Sequence, residues 1–399
     1  MSMHSWCLAA ACAGQGRPSR LLPAVVATIS LAVLPAASHA QSVSFQPIGF
    51  LTGASSSSAT AVNAYGTVVV GESGLQAFRW VDGTIIGLGF LPSGCGPTAG
   101  RGTTAHGVNV DGTVVVGNAS SARLLCLETK PFLWTPSGGM VDLGGLPGST
   151  GIGDANGVST DGAVVVGYSR HFKSPEVLYH DEAFRWLNGT MTGLGFLLND
   201  DTRSSTAFGV NGDGTVVVGS SLSSTGTQAF RWVNGTMTGL GYLSGATSSQ
   251  ANGVSADDTI VVGTSGSQAF RWVNGTMTGL GFLPGGSSSD ARGVSGNGSI
   301  VAGTSVAGGR NFAFRWTPSD GMQSIEGLLT AAGANISGWQ LTVARAVSAD
   351  GSAVVGEGIG PGGGAQGWMV RFARGGVRRG LSARRFQRRC AQRSAVPPQ

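Results

Sequence analysis

QAFRWVNGTMTGLGYLSG at residues 228–245 and QAFRWVNGTMTGLGFLPGG at 268–286 are nearly one sequence, set 40 residues apart. Each opens on Ala-Phe-Arg-Trp, breaks at Asn-Gly and resumes as Gly-Leu-Gly-aromatic-Leu. The aromatic and β-branched residues between turn residues read as short strands. Asn-Gly tolerates the positive φ that a two-residue hairpin turn demands. Working outward, the gap between the copies holds two more segments: Ala251-Asn252-Gly253-Val254, then a run of β-branched residues ending at Gly263. The unit is therefore four short strands.

The unit recurs along most of the chain. The A-x-[GA]-V segments end at Val62, Val108, Val158, Val210, Val254, Val294 and Val347. The aromatic segments end at Trp80, Trp134, Trp186, Trp232, Trp272, Trp316 and Trp368. The fourth segments run through Gly89, Gly144, Gly195, Gly241, Gly281 and, in degenerate form, Gly327. A seventh fourth segment, Pro47-Ile48-Gly49-Phe50-Leu51, precedes the first repeat. A period of roughly 40–54 residues with four strands predicts one sheet per repeat, an all-β, seven-bladed β-propeller of four-stranded antiparallel blades. The displaced segment predicts closure, with 47–51 as the outer strand of the last blade, pairing with 366–372. Asp-Gly at 111–112, 161–162, 213–214 and 350–351 is expected to form two-residue turns like those of Asn-Gly at 188–189, 234–235 and 274–275.

Outside the repeats, Arg17 and Arg20 precede an apolar stretch, 21–34, and then Ala36-Ala37-Ser38-His39-Ala40. That order is expected of a secretory signal, 1–40, cleaved after Ala40. A membrane anchor is the other reading, but the apolar run is short for a span. The expected address is secreted or periplasmic, with the cell surface as a further option, and no integral membrane anchor after signal cleavage. The tail 373–399 carries eight arginines and the leader two; the remaining 15 basic residues in 41–372 face 20 acidic ones, a balance of −5. The net charge of +5 is thus a property of the ends, and no nucleic acid partner is expected. The tail reads as disordered, either a basic arm or non-native sequence. The expected domains are the signal 1–40, the propeller 41–372 and the tail 373–399. Cys95 and Cys126 fall on loops of the same rim, where a disulfide or two free thiols are the alternatives.

GVNVDGTVVVGN at 107–118, with the two stretches quoted first, resembles the bacterial HAF extracellular repeat. The resemblance covers essentially all of 45–372. It implies export and a place among surface proteins, and it brings no catalytic residues. Autotransporters of this kind end in an outer-membrane barrel, and no C-terminal run of alternating strands is present here.

The chemistry-bearing residues are sparse. His106, His171 and His180 remain after the leader, without metal-ligand spacing. His180-Asp181-Glu182 with His171 reads as a metal set or, more simply, as a polar loop. No metal or cofactor is expected. Asn211-Gly212-Asp213-Gly214 and Asp257-Asp258 read as hairpin turns rather than calcium loops, and Ser-x-Asp-Gly lacks the residues that would follow in a sialidase-type box. Arg79, Arg185, Arg231, Arg271 and Arg315 each precede a tryptophan. The tryptophans are expected to fill the layers between blades, and the arginines to bond a turn oxygen or carboxylate. Between the small residues of the innermost strand one position varies: Thr60, His106, Asn156, Phe208, Asn252, Arg292 and Arg345. These should ring the channel mouth on the side where the long loops emerge, with Arg292 and Arg345 gripping an anion. Two function classes follow for this monomer. One is a non-catalytic exported binding or surface-structural module for an extracellular glycan or protein. The other is a polysaccharide-acting propeller enzyme (lyase or glycoside hydrolase), for which Glu128, Glu176 and Glu357 are the nearby acids.

Overall fold

The computed structural model describes residues 43–91, 101–123, 126–172 and 179–372, and only the backbone at 101, 121–123 and 126–128. All belong to the compact unit Ala40–Gln399. The expected signal and tail, Cys95, Glu176 and the side chains of Cys126 and Glu128 lie outside the described residues. These residues form seven four-stranded antiparallel sheets, each paired in chain order from inner to outer strand except the last. The first blade is Ser57–Val62, Val68–Ser73, Gln76–Val81 and Thr84–Gly87.

Why the second strand reads Val-Val-Val follows from its surroundings. Successive side chains of a strand face opposite ways. Val68 and Val70 join Ala105, Val115 and Phe132 of the second blade, while Val69 joins Ala353, Val355 and Met369 of the seventh. A strand covered on both faces has no polar side, so the run is continuously apolar. The core is accordingly split into seven layers, one between each pair of neighbouring blades. The run ends at glycine for a steric reason. A Cβ at Gly71, Gly117, Gly167, Gly219, Gly263, Gly303 or Gly356 would stand 1.8 to 2.0 Å from a carbonyl oxygen of the inner strand.

The ring closes as the displaced segment predicts, but one segment earlier in the chain. The seventh sheet consists of Gln340–Val347, Ala353–Ile359, Ala365–Phe372 and Val43–Pro47. Val43 pairs with Phe372 and Pro47 with Trp368, and the Ile48 amide donates to the Gly367 carbonyl at 2.9 Å. Of 47–51, therefore, only Pro47 belongs to the outer strand. The same correction holds in every regular blade, where the outer strand is the Thr-x-x-Gly before Leu-Gly-Phe, as at Thr84–Gly87 and Thr276–Gly279. The glycine inside Leu-Gly-Phe has φ between 75° and 82° at 49, 89, 144, 195, 241 and 281, which turns the chain out of the sheet. The leucines beside it, Leu88 and Leu91 in the first blade, are buried beneath the rim.

Three further expectations need revision. Asn-Gly forms the expected turns, with φ of 48° at Asn234 and 85° at Gly235. At the four Asp-Gly sites 111–112, 161–162, 213–214 and 350–351 only the glycine has positive φ, and the loop from Asn109 to Val114 closes through a Gly112 amide to Asn109 carbonyl bond. That is a longer turn with glycine in its last position. Gly327 lies not on a strand but in a helix, Ile325–Ala331, which interrupts an otherwise all-β architecture. Ser324 caps it by accepting from the Gly327 amide, and Ile325 and Leu329 pack beside Leu341 and Trp368. Finally, Trp368 faces Gly356, the register that Phe78 holds opposite Gly71, so it occupies the phenylalanine position of its blade.

Candidate functional site: the channel mouth

Besides a second irregularity near the start of the sixth and seventh inner strands, between Gly286 and Ser288 and between Leu341 and Val343, the innermost strand of every blade carries a register shift at one common place. It falls between Ala59 and Ala61, Ala105 and Gly107, Ala155 and Gly157, Ala207 and Gly209, Ala251 and Gly253, Ala291 and Gly293, and Ala344 and Ala346. The residue skipped is in every case the variable one. A bulge leaves its residue out of the ladder and re-aims the side chain. Thr60, His106, Asn156, Phe208, Asn252, Arg292 and Arg345 all line one cavity of about 240 Å3 on the axis. Valines follow: Val108, Val158, Val210, Val254, Val294 and Val347 line both this cavity and a second one of about 160 Å3 on the turn side. The channel therefore has a varied mouth above an apolar collar.

The bulged side chains do not all face an incoming ligand with free groups. Thr60 Oγ1 donates to the Ala105 carbonyl at 2.6 Å, Asn156 Nδ2 to that of Ala207 at 2.8 Å and Asn252 Nδ2 to that of Ala291 at 2.8 Å. Each bond runs from one blade to the next, so these three residues stitch the ring as well as line it. Arg345 Nη2 lies 2.7 Å from Glu357 Oε1 and Arg292 Nη2 2.9 Å from Asp290 Oδ2. The anion grip expected of these arginines is thus occupied by carboxylates of the protein itself.

Those carboxylates belong to a second tier that the repeat pattern did not expose. It consists of the residue before each inner-strand alanine and the residue after each second-strand glycine, directly opposite in the ladder, as Ser58 and Glu72 are. Thr104 donates to Glu72 at 2.7 Å across one blade boundary, and Asn118 to Asp154 at 2.9 Å across the next. Asn118 Nδ2 also lies 3.0 Å from His106 Nε2, which stands 3.5 Å from Asp154 Oδ1. Thr264 bonds Asp290, which also receives Asn252. The signal that would have found this tier is polar character at a fixed offset from the glycine, without identity of residue type.

The repeated Arg-Trp pair is architectural. Arg79 Nε donates to the Gly112 carbonyl at 2.8 Å and Arg185 Nε to that of Gly214 at 3.0 Å, each on the next blade's turn. Arg231 reaches Asp258 at 3.1 Å, and in the last blade Arg371 reaches the Gly66 carbonyl at 2.6 Å. Burial lowers the pKa of Arg271 and, against the opposing pull of Asp320, of Arg315 from the usual guanidinium value, and Arg315 rests on the Phe372 ring. The tryptophans join the inter-blade layers unequally: Trp80 and Trp368 are fully buried, while Trp134, Trp186, Trp232, Trp272 and Trp316 are half-buried. Phe78, Phe132, Phe184, Phe230, Phe270 and Phe314, two positions earlier, fill the core completely.

Two hydroxyl sets complete the stitching. Ser57, Thr103, Ser205, Ser249 and Ser289 accept from an amide of the preceding blade's third strand. Ser73, Ser169, Ser221, Ser265 and Ser305 accept from Leu51, Leu146, Leu197, Leu243 and Leu283 amides at the rim. The metal reading of His171 and His180 to Glu182 has no support in the geometry. His171 stacks on His180, while Asp181 is held by Arg170 at 2.7 Å, and no group of three His, Cys, Asp or Glu among the described residues could hold a metal ion.

The chain is similar to several propeller structures. TolB from Acinetobacter baumannii is 15% identical with a TM-score of 0.39, over 67% of this chain and 63% of that one. An oligogalacturonate lyase in complex with manganese is 12% identical with a TM-score of 0.47, over 83% of this chain and 96% of that one. The β-propeller domain of the Trilobed protease from Pyrococcus furiosus, which has an open velcro topology, is 10% identical with a TM-score of 0.48, over 80% and 94%. The chain spans less than two thirds of the length of that TolB. At such identities the likeness concerns fold alone. The sequence matches no family model and no curated protein. No helix among the described residues is long and apolar enough to cross a membrane.

Proposed function

We propose that this chain is an exported, non-catalytic repeat protein of the HAF type that binds an extracellular ligand at the loop-side mouth of its channel. The observation that carries this reading is the bulge: seven blades vary one residue, and all seven side chains meet in one cavity. Scaffolds that hold a ring constant and vary one position on a single face do so where recognition occurs. The chemistry of the mouth favours a hydroxyl-rich ligand such as the end of a glycan. Arg292 and Arg345 are already neutralised by Asp290 and Glu357, so a plain anion gains little. Carboxylates, amides and guanidinium groups held by neighbours, with Phe208 among them, match a ring bearing several hydroxyls.

The enzyme reading keeps one supporting observation, the acids Glu72, Asp154, Asp290 and Glu357 beside the ring. A glycosidase needs two carboxylates free to act on opposite sides of a bond, and these four are engaged by Thr104, Asn118, Thr264 and Arg345. The purified protein applied to a glycan array, with product release monitored from soluble polysaccharides, separates the two. Capture without release supports the binding module. Turnover of any polymer replaces it with the enzyme, and capture of proteins alone moves the ligand to that class.

A further inference from the structure

We propose a second ligand site, away from the channel, on the third blade: a subsite for a neutral saccharide ring beside an exposed aromatic finger. The second and third strands of that blade, Val164–Phe172 and Tyr179–Leu187, run on past their counterparts in every blade but the second and stay paired out to Phe172 and Tyr179. Residues opposite in the ladder share a face, which puts Tyr168, Arg170, Asp181, Phe172 and Tyr179 on one side of the ribbon. Phe172 and Tyr179 meet edge to face at 5.9 Å, yet they are 57% and 51% exposed. Two large aromatic side chains left in water gain little packing there, and a paired exposed set marks a contact surface.

A cavity of about 440 Å3 opens beside them, lined by Arg170, Tyr179, Asp181, Thr202, Arg203 and Ser204 among others. That volume falls within the range of small-molecule sites. The charges narrow the ligand class. An ammonium ligand would seek the aromatic faces, but the Arg170 guanidinium already lies 5.8 Å from the Tyr168 ring and 5.9 Å from the Tyr179 ring. An anion would seek Arg170 and Arg203, but Arg170 is held by Asp181 through two bonds, of 2.7 and 3.0 Å, and Asp201 lines the same cavity. Arg203 lies over the Phe196 ring at 5.3 Å with a buried Nε that has no hydrogen-bond partner. What remains is a ligand without net charge that offers an apolar face to an aromatic ring and hydroxyls to Arg203, Thr202 and Ser204. A pyranose has that form. The site stands independently of the channel reading, since none of its residues belongs to the ring.

The test uses the full chain on an array of neutral oligosaccharides, with choline and trigalacturonate as charged probes. Tyr179→Ala and Phe172→Ala should each weaken capture of the bound neutral sugars about tenfold, the loss expected for one aromatic contact. Tyr179→Phe keeps the ring and should stay within about twofold. Equal melting temperatures establish that the variants fold. Phe208→Ala, in the channel, leaves capture through the finger in place. The proposal is overturned if no neutral sugar is captured, or if the finger variants capture as the parent does. Loss confined to Phe208→Ala also overturns it and leaves the channel reading standing. Binding of choline or trigalacturonate that depends on Tyr179 overturns the neutral class.

Discussion

Phe230 and Trp232 sit two positions apart on one strand and point the same way, yet only the phenylalanine is fully enclosed. Phe230→Ala should cost about 3–5 kcal/mol in chemical denaturation, the range for truncating a buried aromatic. Trp232→Ala should cost clearly less, because part of its ring is already in solvent. Equal losses would place the indole in the core after all. Its recurrence beside an arginine suggests the tryptophan as a filler of the inter-blade layer. Recurrence reports a shared environment without reporting its depth. Trp368 makes the same point from the other side, since the last blade places its tryptophan where the others keep phenylalanine. The variable ring was legible, as position alone distinguished it. The pairing of Arg292 and Arg345 was not, because Asp290 and Glu357 reach them only through blade geometry.

At the scale of elements, the tight turns were found in the right places and the outer strands were not. Gly-Leu-Gly-Phe-Leu was the most repeated apolar signal, but its positive-φ glycine cannot continue a ladder, so the quieter Thr-x-x-Gly forms the strand. The loops between first and second strands carry a pH dependence. Hydrogen bonds from Thr113, Ser159, Thr215 and Ser255 hold Asp111, Asp161, Asp213 and Asp257 below the ordinary value of 3.8. A carboxylate with a lower pKa folded than unfolded contributes stability above its unfolded pKa, and that contribution vanishes as pH falls through the folded one. Melting temperature should therefore decline on acidification below 3.8, and Asp161→Asn should flatten a small part of that decline. The groups are largely solvent-exposed, so each contributes little. A variant whose melting profile tracks the parent at every pH removes Asp161 from the account.

At the scale of the whole molecule, periodicity made blade number and strand order readable before any coordinates. Four segments per repeat leave little freedom once the turns are placed. The closure was readable because one segment was out of sequence. Its exact strand was not, since Val43–Pro47 has no counterpart motif in the other blades. Ile48, 3% exposed, anchors this strand between the first and last blades. Ile48→Ala should lower stability by about 2–5 kcal/mol, and deleting 43–48 should broaden and lower the melting transition. An unaltered transition would mean the ring does not need its clasp. A complementary variant moves 43–51 behind Phe372 through an Asn-Gly turn, which recreates the hairpin that joins third and outer strands elsewhere. It should melt like the parent and refold faster, because the closing pair becomes local.

The Ser57 hydroxyl and the Gly367 amide that it receives are 310 positions apart. During synthesis Val43–Pro47, whose ladder partner is Ala365–Phe372, must likewise wait unpaired until those residues have been made. Until that late moment the nascent chain is an open fan that no single blade can lock, and a passage requiring an extended polypeptide remains available to it.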